Sequence, residues 1–194
     1  MKKIDIKMKR VFIAVKIDPA ATLLEMISDF RSLLKEERIK WTEIGNFHIT
    51  LAFLGDTEEE KIKSIAGTLK VTCARQGAFD MAIKGAGLFK SFKDPRILWV
   101  GIEQSENLVS LYESVKLGLK NAAITLEERP FSPHLTLGRI KSINNQDALK
   151  SLITRYVNTE IQKQPVNEVI LYESLLFHSG AVYKPLWRFP LDGK

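Results

Sequence analysis

The sequence predicts an α+β protein of two pseudo-symmetric lobes, each an antiparallel sheet with flanking helices, around a central cleft. Three observations carry that expectation. Short β-branched and aromatic runs alternate with segments whose apolar residues recur at helical spacing. The order of these segments in the first half recurs in the second. Each half also contains the same tetrad, His-x-Thr-Leu, at His48–Leu51 and at His134–Leu137, in a chain with only three histidines.

Taken in order, Arg10–Ile17 (RVFIAVKI) reads as a buried strand. Pro19 precedes Leu23, Ile27, Phe30 and Leu34, which are spaced for one face of a helix. Phe47–Leu54 (FHITLAFL) is the first histidine strand, closed by Gly55-Asp56. Thr57-x-x-Glu60 has the form of a capping box in front of Ile62, Ile65 and Leu69, a second amphipathic helix. Phe79–Phe89 and Ile97–Ile102 are strands parted by a turn at Lys93-Asp94-Pro95. In the second half Leu108, Leu111, Val115 and Leu119 mark a helix, and Phe131–Ile140 is the second histidine strand. Leu149, Ile153 and Tyr156 make a further helix after Asn144-Asn145, and Val166–Leu176 and Val182–Phe189 form a closing pair around Ser179-Gly180. No low-complexity or Pro/Ser-rich linker divides the chain, so residues 1–194 read as a single bilobal domain.

Composition narrows the function classes. An apolar content of 45 % with 27 % charged residues supplies a globular core. No apolar run approaches the ~20 residues of a membrane span. Val11–Val15 is too short for a secretory core of ~7–15 residues, so no membrane association and a cytoplasmic location are expected. The single Cys73 has no partner for an internal disulfide and reads as a packed residue near a helix end. Three scattered histidines give no zinc framework. The net charge of +6 favours an anionic partner, a nucleic acid or a phosphate ester, although the basic residues are dispersed rather than gathered into a tail.

The repeated tetrad carries the chemistry. On a strand, alternate side chains share a face, so His48 and Thr50 point the same way, roughly 6–7 Å apart. His134 and Thr136 do likewise, while Ile49, Leu51, Leu135 and Leu137 anchor the opposite layer. An approximate two-fold relation between lobes would turn both pairs into one cleft. In-line displacement at phosphorus needs one group to take a proton from the attacking oxygen and another to give one to the leaving oxygen. Imidazole, with a pKa near 6.5, can do either, each role being worth ~10²–10⁴ in rate. The threonine hydroxyls can donate to the non-bridging oxygens, and Arg139 can add a charge-assisted contact to the same anion. The strand parity of Arg139 opposes that of Thr136, so a bend at Gly138 would be needed to aim it. Acid, base and charge stabilisation then all come from side chains, and no metal or cofactor is expected. The near-symmetry of the two sites leaves open which histidine is acid and which is base.

These residues resemble the 2H phosphoesterase superfamily, and their surroundings resemble its RNA 2′,3′-cyclic phosphodiesterase branch, historically called 2′-5′ RNA ligases. The matching stretches are RVFIAV, KWTEIGNFHITLAFLG, RILWVGI, RPFSPHLTLGRI and LYESLLFHSGAVYKPLWRFPL, in order from Arg10 to Leu191. The resemblance implies metal-independent hydrolysis of RNA 2′,3′-cyclic phosphate ends to 2′-phosphomonoesters. His48 would be the acid, His134 the base, and Thr50, Thr136 and Arg139 the phosphate-holding residues. Substrates would be RNA ends or small cyclic nucleotides, and a self-contained cleft fits a monomer. Ala52-Phe53 departs from the branch, which often carries a lysine there. Two other activities compete: 2′-5′ ligation, with a ribose hydroxyl in place of water, and nucleotide or RNA binding without turnover. His178 reads as exposed, the Gly85-Ala86-Gly87 run as strand or turn glycines, and Trp41 and Phe47 as core aromatics first. Tyr183 carries a polar tip that could enter the cleft.

Overall fold

The computed structural model describes residues 8–126, 130–178 and 180–193. Among them, β1 (Met8–Lys16), β3 (His48–Glu58), β8 (Glu168–Phe177) and β9 (Gly180–Pro190) form an antiparallel sheet in the order β3-β1-β8-β9. A second sheet, β2-β6-β5-β4-β7, is built from β2 (Arg38–Trp41), β4 (Phe79–Ser91), β5 (Asp94–Ile102), β6 (His134–Ser142) and β7 (Glu160–Val166). Helices α2 (Glu59–Cys73) and α3 (Glu106–Asn121) pack together on the first sheet. Helices α1 (Ala21–Leu33) and α4 (Gln146–Tyr156) cover the second, against β7 and β4. The fold is α+β with two lobes, as the alternation of segments predicts.

β1 shows why its sequence is apolar without a break. Val11, Ile13 and Val15 enter the main core beneath the helices, whereas Phe12 and Ala14 face the other side, with Ile170, Tyr172 and the half-buried Tyr183. A central strand covered on both faces cannot keep the polar alternation of a half-exposed one. Helix α1 buries Leu23, Met26, Ile27 and Phe30, and α3 buries Leu108, Leu111, Val115 and Leu119, the stripes their spacing predicts. Ser105 caps α3, its side chain accepting from the Leu108 N–H at 3.2 Å.

The lobes are not the halves of the sequence. β1 lies in the first sheet, yet α1, which follows it, packs on the second. β5 lies in the second sheet, yet α3 crosses back to the first. The β8–β9 pair, from the end of the chain, completes the sheet begun by β1.

Two local expectations are corrected. Thr57 does not form a capping box: Glu58 occupies the N-cap of α2, without a side-chain cap. Thr57 is buried and its hydroxyl donates to the Gly55 carbonyl at 3.0 Å. The reason is that β3 does not stop at Leu54 but continues to Glu58 through Gly55, whose φ of +68° suits glycine. The short strands β2 and β7 add to the expected elements. The polar, proline-containing EIQKQPV of β7 lies at a sheet edge, where such a residue is tolerated. Ser179 of the closing turn lies outside the described residues. No helix among the described residues is long and apolar enough to cross a membrane.

The crossing of α1 and α3 makes a test. Residues 1–99 and 100–194, expressed separately, are each expected to lack a cooperative thermal transition by circular dichroism, because each holds only part of both sheets and one of the two helices that cover each. A sharp transition in either fragment would contradict the interleaved packing.

Candidate functional site

Both histidine strands slip by one residue at the same place. Opposite β1, Ala14 pairs with Thr50 and Ile13 with Ala52, leaving Leu51 as an extra residue. Opposite β5, Trp99 pairs with Thr136 and Leu98 with Gly138, leaving Leu137 extra. Such a bulge reverses the facing of everything beyond it. Leu51, Ala52, Leu137 and Gly138 are therefore all buried, and the next residues, Phe53 and Arg139, return to the face of the histidine and threonine. The bend required at Gly138 is thus this slip. The first motif repeats it with an aromatic residue where the second has a cation.

Each imidazole is held by its own chain. His48 Nδ1 lies 2.7 Å from the Asn46 carbonyl, and His134 Nδ1 lies 2.7 Å from the Ser132 carbonyl. A carbonyl only accepts, so Nδ1 carries the hydrogen in both rings and Nε2 is left free to take or give a proton. An aromatic edge supports each ring: Tyr183 is 5.1 Å from His48 and Phe89 is 4.7 Å from His134, both at 86°. Phe12 adds a tilted contact to His48 at 5.0 Å. Asn46 also donates its side-chain amide to the Ala181 carbonyl at 2.8 Å, tying the turn before His48 to β9.

Burial pushes the pKa of His48 below the usual imidazole value. The Asn46 hydrogen bond opposes that shift and positive charge on His134 adds to it. Strands β3 and β6, which carry the two rings, meet where the sheets adjoin. Burial also lowers His134, against the Ser132 hydrogen bond, and the Arg139 guanidinium adds to the lowering. Burial raises Tyr183, with Arg139 and Arg10 partly offsetting it, so the phenol stays protonated near neutrality.

The two cleft walls differ. On the first sheet Phe12 stacks with Phe53 at 5.6 Å and with Tyr172 at 5.2 Å, and the Arg10 guanidinium lies 6.0 Å from the Phe53 ring centre. On the second, Trp99 lies across Gly87, where an added Cβ would collide with the indole, and packs 5.7 Å from Phe89. A cavity of about 300 Å³ opens beside His134, bordered by Lys84, Trp99, Gly101 and Gln104. Among the described residues no three His, Cys, Asp or Glu side chains converge to hold a metal.

The structure sets Thr50 on the face of His48 in β3, and Thr136 and Arg139 on the face of His134 in β6, and the two strands meet where the sheets adjoin. Phe47 is a core residue, and Trp41 is half-buried, 5.6 Å from the Arg31 guanidinium. His178 is exposed. Cys73 is buried, which pushes its thiol up to about 12 and leaves it inert. Sequence reasoning missed Arg10, Phe12, Phe89 and Trp99. The only available signal was their place in the neighbouring strands, which needs the sheet order to be known.

A model of the LigT-like phosphoesterase family matches twice, over residues 15–99 and 100–183, one copy for each histidine motif. The chain belongs to that family. It is 34% identical to a Methanothermobacter thermautotrophicus RNA 2′,3′-cyclic phosphodiesterase, over 94% of this chain and 98% of the relative. It is 31% identical to the protein of that name from Thermotoga maritima, over 95% and 96%. Among solved structures, it superposes on a Thermus thermophilus protein, TT0787, with a TM-score of 0.78 at 25% identity, covering 95% of this chain and 99% of that one. Escherichia coli LigT complexed with 3′-AMP gives 0.73 at 27% identity, with the same coverage. The twofold match of the family model has its counterpart in the repeated bulge and the repeated Nδ1 anchor.

The anchor predicts a spectroscopic outcome. In long-range ¹H–¹⁵N spectra at pH 8, His48 and His134 are expected to show the Nδ1–H tautomer with a bare Nε2. An Nε2–H pattern at either residue would show that its ring is not held as described.

Proposed function

We propose that this cleft hydrolyses 2′,3′-cyclic phosphate ends of RNA to 2′-phosphomonoesters, with His48 as general acid and His134 as general base. The observation that carries the reading is the matched pair of imidazoles, each fixed through Nδ1 to the carbonyl two residues before it, with Nε2 free toward shared space. The relatives named RNA 2′,3′-cyclic phosphodiesterase support it, since they match over nearly their whole length.

Burial is the main influence disfavouring a proton on either ring, with the Arg139 charge adding to it at His134 and the His134 charge adding to it at His48. We assign the roles from the two walls of the cleft. The aromatic wall of Phe12, Phe53 and Tyr183 on the His48 side suits a nucleoside, which puts the 3′ oxygen beside the acid. Water reaches phosphorus from the His134 side, where the cavity gives it room.

In the step itself, the water oxygen bonds to phosphorus as His134 Nε2 takes its proton. The bond from phosphorus to the 3′ oxygen breaks, and that oxygen takes the proton of His48 Nε2. The product carries a 2′-phosphate and a free 3′-hydroxyl, and proton exchange with solvent resets the histidines. Thr50 and Thr136 donate to the non-bridging oxygens, and Arg139 neutralises the charge that gathers there. Substrates are RNA ends and small cyclic nucleotides. A cleft completed within one chain fits a monomer, and a single buried free cysteine fits the cytoplasm.

His48→Ala and His134→Ala are each expected to lower kcat by at least ~10² with little change in substrate affinity. ³¹P NMR of the products from a 2′,3′-cyclic mononucleotide shows the 2′-monoester if the reading holds; a 3′-monoester or no turnover refutes it. The pH dependence has a sign. One ring must be protonated and one neutral, and both lie below the usual value near 6.5 in the free protein. The kcat/KM profile is expected to be a bell with its maximum on the acid side of pH 6.5, and a monotonic rise from pH 5 to 9 would exclude the two-histidine mechanism.

A further inference from the structure

The reaction above uses one phosphate, but an RNA end brings another, the diester that joins its terminal nucleoside to the rest of the strand. The cleft holds a cation that the reaction does not use. Lys40, in the edge strand β2, is the direct cross-strand partner of Arg139, whose neighbour on the other side is Ile97. Residues directly opposite in an antiparallel pair share a face, with Cβ atoms about 4.5–5.5 Å apart. Since Arg139 faces the cleft, Lys40 does too, and both side chains are exposed.

Two positive charges so placed repel each other. Neither has a carboxylate within ion-pair distance among the described residues. The tip of the β8–β9 hairpin, from the other lobe, leans over this spot. The Lys40 ammonium lies 3.7 Å from where a Cβ of Gly180 would stand, and the Asn46 amide bonded to Ala181 holds the tip in place. The ammonium therefore sits at the seam of the lobes, one residue's width beyond the guanidinium that serves the reacting phosphate. An uncompensated cation pair at the mouth of an anion site is completed by a second anion, and the substrate already carries one.

We propose that Lys40, beside Arg139, forms a subsite for the phosphate on the 5′ oxygen of the terminal nucleoside, so that the cleft selects oligonucleotide ends over bare cyclic nucleosides. The inference rests on the cyclic-phosphate reading and names the substrate class within it. A charge-assisted contact of this kind is worth about tenfold in affinity or more.

Three substrates test it: uridine 2′,3′-cyclic phosphate, the same nucleotide with a 5′-phosphate, and the dinucleotide UpU ending in a 2′,3′-cyclic phosphate. The wild-type kcat/KM is expected to be about tenfold higher for the two that carry the extra phosphate. Lys40→Ala should bring the three within about twofold of each other, Lys40→Arg should keep the preference, and the salt slope for the dinucleotide should fall by about 0.7 in Lys40→Ala. A wild-type preference that survives Lys40→Ala overturns the proposal, as does wild type treating the three alike. Preference for the dinucleotide but not for the 5′-phosphorylated monomer also overturns it, because the preceding nucleoside is then what is recognised. If the wild type turns over none of them, the cyclic-phosphate reading fails instead. The subsite is then decided by titrating the protein and Lys40→Ala with UpU bearing a 2′-phosphate: tenfold weaker binding to the variant supports it, and equal binding sinks it.

Discussion

The one-residue slip after each threonine is the constraint on which the site depends. In an unbroken strand, alternation would place residues 48, 50 and 52 on the cleft face, and 134, 136 and 138 on the other wall. The residues at 52 and 138 are alanine and glycine, with little chemistry to offer. Beyond the slip, Ile140 is buried in the main core and Leu54 packs against it, where unbroken alternation would have turned both to the cleft face. Burying a side chain of this size is worth about 1.5–3 kcal/mol, more than the ladder hydrogen bond lost at a bulge. The core thus holds the slip in place, and the slip sets Phe53 and Arg139 on the faces of the two histidines. Gly138 is bound to the same arrangement: a Cβ there would lie 2.8 Å from Ile39 Cγ2, within the seam between β6 and β2.

A duplicated motif creates a chemical problem as well as a solution. Two equal imidazoles facing each other define no acid and no base. The difference arises one position past the bulge, where one strand carries a guanidinium and the other a phenyl ring. Arg139 weighs against a proton on His134, and Phe53 joins Phe12 in a hydrophobic wall beside His48. Arg10 approaches that wall from β1, yet over the phenyl ring rather than at the imidazole. The surroundings of the two copies therefore differ through one residue in each, with His and Thr unchanged.

How much of this was legible follows from range. The histidines, threonines and their common face are short-range facts of strand periodicity, and the amphipathic helices are facts of helical spacing; both could be read from residue order. The Thr57 capping box failed because the pattern was right but the strand ran on: Gly55 carried β3 past Leu54 and left Thr57 inside. Phe89 and Trp99 could not be tied to His134 without knowing that β4 and β5 lie beside β6, a pairing across dozens of residues. The Nδ1 anchors were equally hidden, because they use backbone carbonyls that every residue possesses.

The routing of the chain also bears on how the cleft works. Helix α1 leaves the first sheet to cover the second, and α3 leaves the second to cover the first. Separating the lobes would therefore strain both connections and threaten the seats of two helices. The side chains at stake on α1 alone are Leu23, Met26, Ile27 and Phe30, each almost fully buried. Exposing even two of them would cost several kcal/mol, at about 1.5–3 kcal/mol each. A wide hinge opening is thus disfavoured, and the spacing of the two histidine strands is set by the fold before any substrate arrives. For in-line displacement that is an advantage. The proton donor and acceptor must stand on opposite sides of one phosphorus atom, and a spacing fixed in advance removes that ordering cost from the reaction barrier.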